Sequence, residues 1–215
     1  SKDGDPFREN FFHYNVGKER GFLCPKKNFG DECPVCDFAT ELYQTGEEDN
    51  IRMAKGLFNR QRFFSPVVVR GEEEDGVKIW SYGRNVYETL LSLVLNPEYG
   101  DVTDMEEGTD LNVRYDKPQG KKYPETKITP ARKTSSLCGE IGEEKCAKLL
   151  ESIPDLDKTF ERKTTEEVQT ILDKSFLTDD ADAEGVSSEK EKFGGTASSD
   201  GVKSVDEAFR ELMPD

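Results

Sequence analysis

The chain has a single histidine and a single tryptophan in 215 residues. It has no apolar run long enough to span a bilayer, and no secretory signal can be read in it. The shortage of histidine weighs against catalysis that uses an imidazole as acid or base. The lack of apolar runs excludes a helical membrane span and points to a reducing setting, with thiols free or on metal. Hydrophobic residues make up only 33% of the chain against 35% charged. A core is therefore expected for part of it, with the remainder poorly ordered. The formal net charge of −15 argues at first sight against a polyanionic partner.

What is present is unevenly distributed. Residues 51–71 contain Arg52, Lys55, Arg60, Arg62 and Arg70 and no acid. Residues 113–134 contain Arg114, Lys117, Lys121, Lys122, Lys127, Arg132 and Lys133 against Asp116 and Glu125. After Asp173 the sequence turns strongly acidic. Charge segregated in this way carries more information than its sum.

The opening "SKDGDPFREN" reads as a turn entering a strand, so the chain is expected to start inside a domain. "FRENFFHYNV" predicts a strand over 7–16. "CPVCDFATELYQTG" predicts a helix from Pro34, with proline in its first turn and Gly46 at its end. "RMAKGLFNRQRFFSPVVVRG" reads as a strand pair or one bent strand. "VKIWSYG" is expected to form a hairpin with "SPVVV". "NVYETLLSLVLN" predicts an amphipathic helix with Val86, Leu90, Leu93 and Val94 on one face. A second hairpin is expected around "LNVRYDKPQG". Two helices follow in 143–173, the later one opening on a capping-box-like Thr-Thr-Glu-Glu.

The histidine and three of the five cysteines fall close together as His13, Cys24, Cys33 and Cys36. A Cys-x-x-Cys pair alone suits a redox site as well as a metal knuckle. A third cysteine and the only histidine nearby favour one structural Zn2+, because zinc takes four tetrahedral nitrogen and sulfur donors. Four protein donors leave no position for a reacting water, so the metal would hold a shape. Cys138 and Cys146 read as structural thiols.

Arg60 and Arg62 share one strand face with Phe64, while Phe63 points the other way. Trp80 and Tyr82 share a face on the next strand, with Arg84 just beyond. Basic residues interleaved with aromatics suit single-stranded nucleic acid: phosphates supply the attraction, and any base can stack on a ring. The competing reading is a core aromatic stripe flanked by solvated arginines. Short strands, hairpins and an interposed helix predict an α+β fold, mainly β, built on an OB-fold-like Greek-key barrel.

The order of these features resembles the T-even-type bacteriophage single-stranded-DNA-binding (helix-destabilising) family. The resemblance covers about residues 1–130 and rests on "SKDGDPF" before "FFHY", Cys24 before "CPVC", "RQRFFSPVVV", "GVKIWSYGRNVYETL" and "DLNVRY". It implies an OB-fold core with a zinc-binding subdomain and an aromatic-lined basic cleft for single-stranded DNA. It places the zinc ligands on His13, Cys24, Cys33 and Cys36, the cleft aromatics on Phe63, Phe64 and Trp80, and a basic position on Arg60. It also implies contacts to replication and recombination proteins through an acidic C-terminal tail, action in the host cytoplasm during infection, and no membrane partner. Cooperative self-association would need an N-terminal segment that this sequence lacks. The gaps between ligands are slightly shorter than the family's, and the barrel is expected to be incomplete at its start.

The expected organisation is a single-stranded-DNA-binding core over 1–135, with the zinc subdomain at about 13–46. A helical extension over 136–176, an acidic disordered linker over 177–203 and a short amphipathic segment over 204–215 would follow. The expected function is non-catalytic, largely sequence-independent single-stranded DNA binding in phage replication, recombination and repair. One alternative is a zinc-stapled interaction module of the replication machinery without its own DNA binding, presenting "VDEAFRELMPD" to a groove. A zinc deaminase is disfavoured, since His13 is followed by Tyr14-Asn15 where that chemistry needs x-Glu.

Overall fold

The computed structural model describes residues 6–139 and 141–177, and no side chain beyond Phe176. The expected tail segment 204–215 lies outside these residues, as does the expected linker 177–203 beyond Leu177. The chain has the mixed α+β architecture, OB-like in kind, that its sequence predicts. Its described residues divide into two compact units, one from residues 6–10 and 61–159, the other from 11–60 and 160–177. Its strands are β1 (Arg8–Val16), β2 (Glu19–Leu23), β3 (Arg60–Val67), β4 (Lys78–Tyr82), β5 (Leu111–Asp116) and β6 (Glu125–Pro130), the last two forming a pair of their own.

In the first unit, β3 (Arg60–Val67) and β4 (Lys78–Tyr82) form the expected antiparallel hairpin. Phe63 pairs with Tyr82 and Ser65 with Trp80, so these four share a face. The loop between them holds a 3₁₀ turn at Glu73–Asp75, where Lys78 Nζ meets Glu72 at 2.5 Å and Asp75 at 3.1 Å. The helix α4 (Arg84–Val94) follows and buries Leu90. Leu90, Phe63, Tyr82 and Ile128 form a core against which Phe7, Trp80 and Tyr87 pack. The Phe63 and Tyr87 rings stack at 4.0 Å.

The strands β5 (Leu111–Asp116) and β6 (Glu125–Pro130) make the second hairpin. Arg70 does not belong to an open basic surface. Its guanidinium donates to Asp110 Oδ1 at 3.1 Å and to the carbonyls of Ser136 and Leu137 at 3.0 and 3.3 Å. The helix α5 (Glu143–Glu151) comes later in this unit. Cys146 in α5 is bonded to Cys138, with Cα atoms 5.4 Å apart. This corrects the expectation of two unbonded thiols: the turn before α5 returns the chain to a separation that a disulfide spans.

In the second unit, β1 (Arg8–Val16, from Phe11 onward) pairs with β2 (Glu19–Leu23). Tyr14 lies opposite Gly21, where an added Cβ would sit 2.8 Å from the tyrosine ring, so only glycine lets that ring cover the strand. Two short helices follow, α1 (Pro25–Phe29) and α2 (Pro34–Gln44). The next helix corrects a strand expectation: Glu48–Leu57 is α3, not part of a bent strand. Its acids Glu48 and Asp49 fall in the first turn and Lys55 in the last, which suits the helix dipole, and Asn50, Ala54 and Leu57 recur at helical spacing. Finally α6 (Thr165–Leu177) opens with a true capping box. The Thr164 N–H donates to Glu167 Oε2 at 2.7 Å and the Glu167 N–H donates to Thr164 Oγ1 at 3.2 Å. Val168 and Leu172 of α6 join Val16, Phe22, Val35, Phe38, Leu42 and the three cysteines in one core.

Candidate metal centre and nucleic-acid surface

Three local devices deliver the four donors of the Cys/His cluster. Strand β1 carries His13 opposite Phe22, their rings 5.6 Å apart. Cys24 follows β2 directly, and its N–H donates to the Phe11 carbonyl at 2.8 Å. Asn28 locks that junction: its Oδ1 accepts the Phe11 N–H, and its Nδ2 donates to the Phe11 and Cys24 carbonyls at 2.7 and 2.9 Å. Cys33 is the N-cap of α2, with Pro34 next and Cys36 in the first turn. The positive end of α2 favours thiolates at both positions.

The resulting cluster is closed and buried: His13, Cys24 and Cys33 are fully buried and Cys36 is 8% exposed. His13 Nε2 lies 3.3 Å from Cys33 Sγ and 3.5 Å from Cys36 Sγ, and Cys24 Sγ lies 3.5 Å from Cys36 Sγ. All four donor atoms fall within 4.8 Å of one another, so the group could hold a metal ion. Ordinary zinc bond lengths give tetrahedron edges of about 3.8 Å between sulfurs and about 3.6 Å between sulfur and nitrogen. The three separations above come within about 0.3 Å of those edges.

The histidine tautomer follows from its other nitrogen. Nδ1 lies 2.8 Å from the Leu57 carbonyl, which can only accept, so Nδ1 carries the proton and Nε2 is left bare toward the sulfurs. Among the thiols, protons are shared unequally. Hydrogen bonds from Cys33 and then Cys36 pull the Cys24 thiol far below its usual range. The bond to Cys24, then that to Cys36, pushes Cys33 far above it. Cys24 and Cys33, pushed in opposite directions in this way, ionise together only beside a cation.

The residues read as nucleic-acid contacts lie on β3, β4 and the start of α4. Arg60 and Arg84 are exposed, the latter paired with Glu88 at 2.8 Å. Arg62 is half-buried and donates to Ser81 Oγ at 3.1 Å. Trp80 is half-buried against Tyr82, ring centres 4.6 Å apart. Phe63, Phe64 and Tyr82 are 4%, 5% and 3% exposed. The Tyr82 hydroxyl and Ser65 Oγ share a buried hydrogen bond of 2.6 Å.

The second hairpin carries a surface that motif reading passed over. Tyr115 is 70% exposed and Tyr123 is 56% exposed, with the Lys122 ammonium 5.4 Å from the Tyr123 ring centre. Arg114 and Lys127 stand directly opposite each other across the strands. Like charges placed so are destabilising in a sheet, and an anionic ligand would relieve them. The signal was present in the sequence as tyrosines set among the lysines of 113–134.

A family model described as "gp32 DNA binding protein like" matches residues 2–176. No curated protein matches the chain. Among the described residues no helix is long and apolar enough to cross a membrane.

Proposed function

The chain belongs to the gp32-like DNA-binding protein family, and from that premise we propose that it binds single-stranded DNA without catalysis, largely independent of sequence, in phage replication, recombination and repair. One observation supports this reading most directly: the exposed Tyr115 and Tyr123 share the β5–β6 hairpin with the directly opposed cations Arg114 and Lys127, in a chain whose net charge is −15. Arg60, Arg62 and Arg84 would add phosphate contacts and Trp80 a stacking ring. Buried Phe63, Phe64 and Tyr82 would hold the β3–β4 hairpin that presents them. A protein that binds unstacked strands better than duplex draws melting forward by mass action alone.

The Cys/His cluster is proposed to take one structural Zn2+, held by His13, Cys24, Cys33 and Cys36. Bound there, the ion would supply a cross-link and no reaction, because the four donors fill its tetrahedron. The proposed core for DNA is residues 1–135. The acidic residues from 177 onward are proposed to meet replication and recombination proteins.

The test is a fluorescence titration of the sole tryptophan, Trp80, with oligo-dT across a salt series, with anisotropy of a labelled oligonucleotide beside it. Quenching is expected, with affinity falling steeply as salt rises. Neither quenching nor an anisotropy change at low salt would overturn the proposal and leave a zinc-stapled interaction module.

A further inference from the structure

Two hydrogen bonds link the Cys/His cluster to one short connector, residues 57–59, which runs from the last residue of α3 to β3. The His13 Nδ1–H donates to the Leu57 carbonyl at 2.8 Å. The Asn59 amide donates from Nδ2 to Cys36 Sγ at 3.5 Å. Between them, the Phe58 N–H closes α3 on the Ala54 carbonyl at 2.9 Å, and the Phe58 ring rests near Tyr43. The residue after Asn59 is Arg60, which opens β3.

We infer that Asn59 is a positioning residue: its amide holds the Cys36 sulfur in ligand geometry and, with the Leu57 carbonyl, ties the cluster to the placement of Arg60. This rests on the metal reading above. A ligating cysteine is a thiolate and can only accept, so an amide turned toward it must present its N–H face. A donor on a thiolate spreads its charge and fixes its orientation, and partners of this kind are worth about 10–100-fold in metal affinity. Because the same connector also receives the His13 proton, two of the four donors are tied to the backbone that leads into the candidate DNA strand. A shift of Cys36 or His13 therefore moves the connector, and Arg60 follows it directly in the chain.

The experiment compares the full native chain with Asn59→Leu, which keeps the branched shape of the side chain and removes the donor. Co2+ is titrated while the thiolate-to-cobalt charge-transfer absorption is recorded, and Zn2+ then competes. Asn59→Leu is expected to take one metal with affinity about 10–100-fold lower and a shifted band. Its oligo-dT affinity at saturating Zn2+ is expected to fall several-fold. Arg60→Ala should lower oligo-dT affinity and leave metal affinity alone. Asn59→Ser, which keeps a donor on a shorter arm, should recover part of the band and also covers the case in which the leucine variant fails to fold. A native band and affinity in Asn59→Leu would overturn the inference while the metal reading stood. An altered band with unchanged oligo-dT affinity would overturn the tie to Arg60. If the native chain gave no thiolate–cobalt band, the metal reading would fall and take the inference with it.

Discussion

Removing the metal is the perturbation with the largest expected effect. The donors come from β1, the β2–α1 junction and the first turn of α2, which are otherwise joined by modest packing. The three cysteines sit within the same core as Val35, Phe38 and Leu42 of α2. Stripping the ion would leave three thiols and an imidazole packed together, with shared protons, the Leu57 carbonyl and the Asn59 amide as their partners. Binding to the folded form alone stabilises by about 4 kcal/mol when free ion exceeds the dissociation constant by about a thousandfold. That equals roughly a thousandfold change in the local opening equilibrium, and apolar packing of so small a unit cannot replace it. The assay is amide hydrogen exchange on the full chain, Zn2+-saturated and after chelation. Protection across α2 and the β1–β2 pair should fall by up to about three orders of magnitude. Amides of β5 and β6, whose ladder lies in the other unit, supply the internal comparison. Unchanged protection in α2 after complete metal removal would refute the reasoning.

Three further outcomes are expected. Arg60→Ala and Arg62→Ala should each weaken oligo-dT binding and flatten the slope of log affinity against log salt by roughly 0.7, the value for one lost phosphate contact on a single strand. Phe63→Ala and Tyr123→Ala should separate. Phe63, stacked on Tyr87 at 4.0 Å, should cost about 3–5 kcal/mol in a denaturant melt. The exposed Tyr123 should leave the melt unchanged and cost about 1–3 kcal/mol of oligo-dT binding. Asp104 accepts the N–H groups of Glu106 and Glu107, each at 2.8 Å, and these hold its carboxyl below its usual value. The turn's contribution should be fully present above the ordinary aspartate range and fade as pH falls through the lower folded value. An NMR titration of the Asp104 carboxyl carbon that showed an ordinary midpoint would contradict this.

Some of the fold could be read directly from local spacing. The Thr164–Glu167 box set the start of α6 because both partners lie within one turn. The α4 helix and the β3–β4 hairpin followed from periodicity in the same way. The strand expectation over α3 failed because aromatic and β-branched residues just beyond Leu57 coloured the whole run. The deciding features were the acids at Glu48 and Asp49 and the burial of Ala54.

The sequence by itself determined the donor chemistry of the Cys/His cluster. His13 to Cys36 spans a single strand pair and two helix starts, so short-range geometry suffices to gather the four atoms. It also determined where cations concentrate, since charge segregation is a property of the chain. Only the tertiary structure decided which aromatics face solvent and which cations are free. Phe63 is buried because Tyr87 and Ile128 arrive from later elements, and Arg70 is taken by Asp110, forty residues on. Tyr115 and Tyr123 stay exposed because nothing among the described residues covers that side of the β5–β6 hairpin. Burial depends on what distant segments bring to a side chain. Local spacing carries no record of that.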